Sequence, residues 1–120
     1  MARIMITEDS KENRTFLRNF LETTNHEVVA EATDGLETVE KFKATRPDIV
    51  LLDLAMPKMD GLSVIREINK MDENAKVILL IASGNLRTIN ECIQVGTVTC
   101  IFKPFKIEDL SNAIKSILAK

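Results

Sequence analysis

The chain has 120 residues, of which 45% are hydrophobic and 28% charged, and its formal net charge is −2 at pH 7. This composition is typical of one globular domain and favours neither nucleic acid nor an anionic membrane as a partner. The longest apolar run, residues 77–82, is too short to span a bilayer, and the amino terminus lacks the apolar stretch of a secretory signal. We therefore expect a cytoplasmic protein without membrane insertion.

Apolar patterning predicts strands and helices that alternate along the whole chain. Short apolar runs predict five strands, at residues 3–7, 27–32, 48–52, 77–81 and 98–102. Each strand is followed by apolar residues at helical spacing, with Ser10 as the predicted cap of the first helix and Arg46-Pro47 beyond the end of the second. The five helical stripes are Phe16, Leu17, Phe20 and Leu21; Leu36, Val39 and Phe42; Leu62, Ile65 and Ile68; Leu86, Ile89, Cys92 and Ile93; and Ile107, Leu110, Ile114, Ile117 and Leu118.

This alternation predicts an α/β fold, a doubly wound five-stranded parallel sheet with helices on both faces. The third and fourth strands are nearly continuous apolar runs, which predicts that both of their faces are covered. The elements fill the sequence from end to end, so we expect a single domain over residues 1–120 with no effector domain attached.

Cysteine and histidine do not indicate a metal or disulfide framework. Cys92 falls on a helical stripe and Cys100 in a predicted strand, so both are predicted to be small core residues. His26 has no cysteine or histidine at ligand spacing and is predicted to lie on the surface.

Charged residues follow three of the predicted strands, at the edge of a parallel sheet where ligands bind. Glu8 and Asp9 follow the first strand, Asp53 the third and Lys103 the fifth. The two acids after the first strand could simply favour the positive end of the first helix. Alternatively, all three acids hold a divalent cation, with Lys103 placed to meet a phosphoryl group. Helix capping does not account for Asp53, which ends a strongly apolar strand, so the acidic-pocket interpretation is favoured.

Three segments carry a family resemblance: ITEDS at residues 6–10, LLDLAMPKMDG at 51–61 and KPF at 103–105. In this order and spacing, on five alternating strands, they resemble the receiver domain of bacterial two-component response regulators. The similarity is greatest to stand-alone, chemotaxis-type receivers and covers essentially the whole chain. It implies a flavodoxin-like fold, with a cis bond between Lys103 and Pro104 as in many relatives.

The resemblance also implies a chemistry. Asp53 would be the phosphoacceptor, supplied by a sensor histidine kinase, a phosphotransfer protein or a small donor such as acetyl phosphate. Glu8 and Asp9 would hold Mg²⁺ together with Asp53 and the backbone carbonyl of Ala55, and Lys103 would contact the phosphoryl group. Such a protein is not an enzyme beyond Mg²⁺-dependent self-phosphorylation and self-dephosphorylation. It signals to a target protein through the face of the fourth helix, fifth strand and fifth helix, without contacting nucleic acid directly.

Two positions depart from the family pattern. Ile81 stands where receivers carry a threonine or serine that binds a phosphoryl oxygen, and Cys100 stands where they carry the aromatic residue that moves with it. A hydrogen bond to a charged group is worth about 1.5–3 kcal/mol, so its loss predicts an impaired or altered switch. Ser83 is a candidate replacement donor if the loop folds back towards the site.

Other functions remain open at this point. A pseudo-receiver would use the same surface as a phosphorylation-independent protein-binding module, and Ile81 and Cys100 favour that alternative. A haloacid-dehalogenase-type phosphatase is disfavoured, because Ala55 stands where that class needs a second acid. A nucleotide-binding domain is disfavoured because no glycine-rich loop follows the first strand.

Overall fold

The computed structural model describes residues 1–54, 60–81 and 86–119, the side chains of Thr88 and Thr97 excepted. Strands and helices alternate in the predicted order, and their bounds agree with the sequence pattern to within a residue or two. The elements are β1 (Arg3–Thr7), α1 (Lys11–Thr23), β2 (Glu27–Ala32), α2 (Gly35–Thr45), β3 (Ile49–Asp53), α3 (Gly61–Met71), β4 (Lys76–Ile81), α4 (Leu86–Val95), β5 (Thr97–Phe102) and α5 (Ile107–Leu118).

The strands form one parallel sheet in the order β2–β1–β3–β4–β5. This is the flavodoxin-like order of a doubly wound sheet, so the predicted fold class is confirmed. The chain order reverses at β1, which lies between β2 and β3. In such sheets a ligand crevice opens beyond the carboxyl ends of the strands at this reversal.

The core has two layers, because successive side chains of a strand point to opposite faces of the sheet. On β3, Ile49 and Leu51 pack with α1 and α5, whereas Val50 and Leu52 pack with α2, α3 and α4. β4 divides in the same way between the two layers. Both central strands are therefore covered on both faces, as their apolar runs predict.

Six residues of the predicted helical stripes are exposed, namely Phe16, Leu36, Leu86, Ile93, Ile107 and Leu118. Phe16 is 51% exposed and Leu36 71% exposed. Leu36 lies in the first turn of α2, where Thr38 takes the buried place, whereas Val39 and Phe42 of the same predicted stripe do pack against the core. Thr38 is tied to β1 by a 2.9 Å hydrogen bond between its hydroxyl and that of Thr7.

The cysteine and histidine predictions hold only in part. Cys92 is fully buried, but Cys100 is half-buried, because β5 is an edge strand. His26 is half-buried rather than simply on the surface, since its Nδ1 accepts a 3.0 Å hydrogen bond from the Ala2 N–H. No helix within the described ranges is long and apolar enough to cross a membrane.

The helices α2 and α4 end in different backbone conformations. Arg46 follows α2 with a left-handed φ of 46°, which ends the helix before Pro47 as predicted. Gly96 follows α4 but does not adopt a positive φ. A Cβ on Gly96 would lie 3.5 Å from a methyl group of Ile65, an ordinary contact distance, so neither the backbone conformation nor the space at this position requires glycine.

Leu79 offers a test of the buried central strand. It is fully buried, so Leu79→Ala should lower the free energy of unfolding by about 2–5 kcal/mol through lost burial and a residual cavity. Leu36→Ala is the matched control, since Leu36 is 71% exposed and should change stability by no more than about 0.5 kcal/mol. Urea unfolding measures both; equal losses would contradict the described core.

Candidate functional site

Parallel pairing brings the ends of β1, β3 and β5 to one edge of the sheet. Thr7, the last residue of β1, lies opposite Leu52, so Glu8 follows immediately beside Asp53 at the end of β3. Asp53 in turn lies opposite Leu80 of β4. The predicted acids therefore do meet at the carboxyl edge, at the reversal of strand order.

Lys103 reaches across this edge to the central acid. Its Nζ lies 2.9 Å from Oδ2 of Asp53, whose side chain is 3% exposed against 28% for the lysine. The backbone N–H of Lys103 donates a 2.6 Å hydrogen bond to the carbonyl of Ile81, and the bond between Lys103 and Pro104 is cis. Burying a carboxylate away from water is costly unless a cation or hydrogen bonds compensate its charge, and Lys103 supplies such a cation.

Glu8 is buried beside Asp53 and is held by local donors. Its Oε1 accepts hydrogen bonds from the Ser10 N–H at 3.1 Å and from the Asn13 amide at 3.4 Å. Burial, followed by the hydrogen bond with Asp53, raises the pKa of Glu8 from 4.5 to about 7. Burial is the larger cause, and the adjacent Asp53 adds to it because two neighbouring carboxylates resist being ionised together.

Capping of α1 does not account for the position of Glu8 and Asp9. Ser10 is the cap of α1, and its side chain accepts from the Asn13 N–H at 3.3 Å. Glu8 contributes one bond to the Ser10 N–H, while Asp9 is exposed. The capping alternative is therefore true in a minor way for Glu8 and does not explain why it adjoins Asp53.

The acidic cluster has the donor set of a hard-cation site. One carboxylate oxygen from each of Glu8, Asp9 and Asp53 can be chosen so that all three lie within 4.8 Å of one another. Mg²⁺ prefers oxygen ligands and is commonly held by one or two carboxylates with water and phosphate oxygens completing the shell. These residues fit such an ion in chemistry and spacing. The predicted carbonyl ligand, Ala55, lies outside the described residues.

The two atypical positions lie together on the other face of the sheet. Ile81 is 5% exposed and belongs to the same apolar cluster as Ile89 and Cys92 of α4. Cys100 packs against this cluster from β5. The Ile81 side chain is thus an apolar contact of α4, and Ser83, the candidate replacement donor, lies outside the described residues.

Sequence reasoning missed two side chains that shape the site. Asn13 donates to the Glu8 carboxylate, and Arg14 donates to the backbone carbonyls of Glu8 and Asp9. Polar residues in the first turns of a helix ordinarily indicate a solvated face, so the pattern alone carried no signal for either. Only the fold of the preceding turn shows what they reach.

The fold and the site together define a class: a doubly wound α/β protein with an acidic, lysine-containing site at the reversal of its strand order. The sequence profile of the response regulator receiver domain matches residues 4–115. The chain belongs to the response regulator receiver domain family.

Individual relatives agree with this assignment. The chemotaxis protein CheY of Thermotoga maritima is 38% identical over 115 residues, or 96% of each chain. The sporulation initiation phosphotransferase F of Bacillus subtilis is 33% identical over 116 residues, which cover 97% of this chain and 93% of that protein. A chain in the crystal structure of the CheX–CheY–BeF3–Mg complex from Borrelia burgdorferi superposes with a TM-score of 0.90 at 32% identity, over 98% of this chain and 90% of that one.

Membership carries general properties of the family. Receiver domains are two-component signalling modules that are regulated by phosphorylation and interact with histidine kinases or phosphotransfer proteins. They bind Mg²⁺ at an acidic pocket, and the cluster of Glu8, Asp9 and Asp53 fits that description.

The crowding of carboxylates predicts a pH-dependent stability. An acid whose pKa is raised by folding resists ionisation in the folded state, so ionising Glu8 lowers stability as pH rises from 4.5 to about 7. Glu8→Gln keeps an oxygen that can accept from the Ser10 N–H but removes this charge. We expect it to raise the free energy of unfolding by about 1–3 kcal/mol near pH 8 without divalent cations, and to change it little near pH 4.

Urea unfolding of both proteins across this pH range, in the presence of a chelator, measures the difference. Glu40→Gln, at an exposed position of α2, is the control for losing an acid elsewhere. A Glu8→Gln protein with no stability gain at high pH would contradict the described crowding.

Proposed function

We propose that residues 1–120 form a single-domain response regulator that accepts a phosphoryl group on Asp53 from a sensor histidine kinase or phosphotransfer protein. The observation that carries this proposal is the 2.9 Å contact between Lys103 Nζ and the buried Asp53 carboxylate, next to two further acids. An acid, a lysine and a cation site in contact are the parts that phosphoryl transfer to a carboxylate needs.

In the proposed reaction a carboxylate oxygen of Asp53 attacks the phosphorus of the donor. An O–P bond forms, the P–N bond of a phosphohistidine breaks, and the departing imidazole keeps the electron pair and takes a proton from water. With acetyl phosphate the P–O bond breaks and acetate departs. Lys103 exchanges part of its contact with Asp53 for a phosphoryl oxygen, which places its charge where negative charge accumulates.

The proposed cation ligands are Glu8, Asp9, Asp53 and the backbone carbonyl of Ala55. Mg²⁺ at this position supplies positive charge that offsets the repulsion between the carboxylates and an incoming phosphoryl group. The residues of the chain would supply the other parts: Asp53 the nucleophilic oxygen, Glu8 and Asp9 the ligands that hold the cation, and Lys103 a positive charge for the phosphoryl group.

The proposed switch differs from that of typical receivers. At the end of β4 the Ile81 side chain offers no hydrogen-bond donor, and Cys100 offers no aromatic ring to follow it. Both lie in the apolar cluster beneath α4. We therefore propose that phosphorylation is retained but reported to the outer surface in an impaired or altered way.

The proposed output surface comprises α4, β5 and α5, and the partner is a downstream target protein in the cytoplasm. Exposed apolar side chains on this surface support the proposal: Leu86 is 67%, Ile93 48% and Phe102 50% exposed. Large apolar side chains of this kind are typical contacts for a protein partner when they share one surface.

A pseudo-receiver that binds its partner without phosphorylation is the second candidate. The observation that favours it is the burial of Ile81 in the α4 cluster, because nothing polar at that position would respond to a phosphoryl group. The two candidates differ in whether Asp53 is modified at all.

Incubation with acetyl phosphate and Mg²⁺, followed by intact-mass measurement, distinguishes them. We expect the mass of one phosphoryl group to be added to the wild-type chain, and neither Asp53→Asn nor a chelator-treated sample to gain it. Asp48→Asn, at a distant acid that pairs with the backbone of Arg3, is the control and should be modified normally. An unmodified wild-type chain would leave the pseudo-receiver as the function.

The altered switch is tested with two substitutions of almost equal shape. Ile81→Thr adds a hydroxyl, and Ile81→Val keeps the β-branch without it. If the hydroxyl reaches the phosphoryl site, Ile81→Thr should bind beryllofluoride about tenfold more tightly than Ile81→Val, as expected for a hydrogen bond to a charged group.

Amide exchange of α4 and β5, with and without beryllofluoride, measures whether the site communicates with the output surface. We expect protection to change in Ile81→Thr and to change little in wild type and Ile81→Val. The same response in all three proteins would mean that residue 81 does not limit switching.

A further inference from the structure

Arg14 lies at the junction of three segments around the acidic cluster. Its Nη1 donates to the carbonyl oxygen of Glu8 at 2.8 Å and to that of Asp9 at 3.1 Å. Its Nε lies 3.4 Å from Oε1 of Glu31 on β2, and the arginine side chain is only 17% exposed. One guanidinium thus holds the backbone of both acids and ties it to the edge strand of the sheet.

Glu31 is itself fixed, so it can orient the guanidinium. Its second carboxylate oxygen accepts a 2.6 Å hydrogen bond from Arg18 Nε, and its backbone carbonyl accepts a 2.6 Å bond from Lys41 Nζ. Glu31 also lies opposite Ile6 in the pairing of β1 with β2. The anchor of Arg14 is therefore part of the sheet rather than a mobile surface acid.

Among the described hydrogen bonds, the other restraints on this turn act on the Glu8 N–H, the Glu8 carboxylate and Ser10 rather than on the Glu8 and Asp9 carbonyls. The Glu8 N–H donates to the Ala32 carbonyl at 3.0 Å, and the Ser10 N–H donates to the Glu8 carboxylate. Asp9 is exposed, yet its carboxylate must approach two buried carboxylates that repel it. A guanidinium bound to the carbonyls of two successive peptide links, Glu8–Asp9 and Asp9–Ser10, fixes the backbone against that repulsion.

We infer that Arg14 is a positioning residue for the divalent-cation site: its contacts with the Glu8 and Asp9 carbonyls and with Glu31 hold the two acids in their place beside Asp53. The inference rests on the proposed function of this site. Partners behind metal ligands typically change affinity by about 10–100-fold when removed. Lysine cannot replace the arginine fully, because one ammonium group does not reproduce the planar donors.

Arg18 provides an internal control. It binds the same carboxylate of Glu31 but makes no contact with the Glu8 or Asp9 backbone among the described hydrogen bonds. Arg18→Ala removes a guanidinium from the same helix face and the same ion-pair network. It therefore separates a general loss of charge from the loss of the carbonyl contacts.

The experiment measures Mg²⁺ binding by calorimetry and, without Mg²⁺, exchange of the Glu8 and Ser10 amides. Arg14→Ala should weaken Mg²⁺ binding about tenfold and speed exchange of both amides by a similar factor. Arg14→Lys should lose part of the affinity, and Arg18→Ala should stay within about twofold of wild type in both measurements. Circular dichroism verifies folding; if Arg14→Ala does not fold, Arg14→Lys carries the comparison.

The outcomes separate this inference from the proposed function. A folded Arg14→Ala protein with wild-type affinity and wild-type amide exchange would overturn the positioning role. Equal losses in Arg14→Ala and Arg18→Ala would also overturn it, in favour of a general effect of the Glu31 network. A wild-type protein that binds no Mg²⁺ would refute the proposed cation site, and the amide exchange would still decide whether Arg14 holds the turn.

Discussion

Two carboxylates buried side by side are the constraint on which this structure depends. Asp53 and Glu8 are each 2% exposed, and burial, followed by the hydrogen bond with Asp53, raises the pKa of Glu8 to about 7. Such crowding is unstable unless positive charge is available, and Lys103 meets part of that need at 2.9 Å from Asp53. The reversal of strand order creates the crevice in which groups from β1, β3 and β5 can converge in this way.

Backbone hydrogen bonds fix the positions of the segments that line this crevice, whatever side chains those segments carry. The Leu54 N–H donates to the Leu80 carbonyl at 3.1 Å, and the Lys103 N–H donates to the Ile81 carbonyl at 2.6 Å, so the sheet pairing continues past the ends of the strands. The position of Lys103 therefore depends on the backbone of residue 81 and not on whether its side chain carries a hydroxyl. This is why an isoleucine at that position is compatible with an intact lysine–aspartate contact.

The sequence predicts the sheet, its helices and the meeting of the three acids with Lys103, because these follow from the period of apolar residues and from the common edge of parallel strands. Prediction from the sequence fails where the position of a side chain depends on contacts with residues that are distant in the chain. Leu36 fits a helical stripe, but Thr38 takes the buried place because it can bind the Thr7 hydroxyl. Arg14 looks like an ordinary solvated residue until the turn of Glu8 and Asp9 is folded against it. Ala55 and Ser83 lie outside the described residues.

The alternation of side chains along β3 and β4 places the central acid of the pocket on one face of the sheet and the contacts with α4 on the other. Asp53 shares the parity of Ile49 and Leu51, on the side of α1 and α5, whereas Ile81 and Cys100 pack towards α4. Substitutions on the α4 side can therefore accumulate while the carboxylates and the lysine of the pocket are kept. Evolution or protein engineering can therefore alter the side chains that pack beneath α4, and with them the signal passed to a partner, while the acidic pocket stays the same.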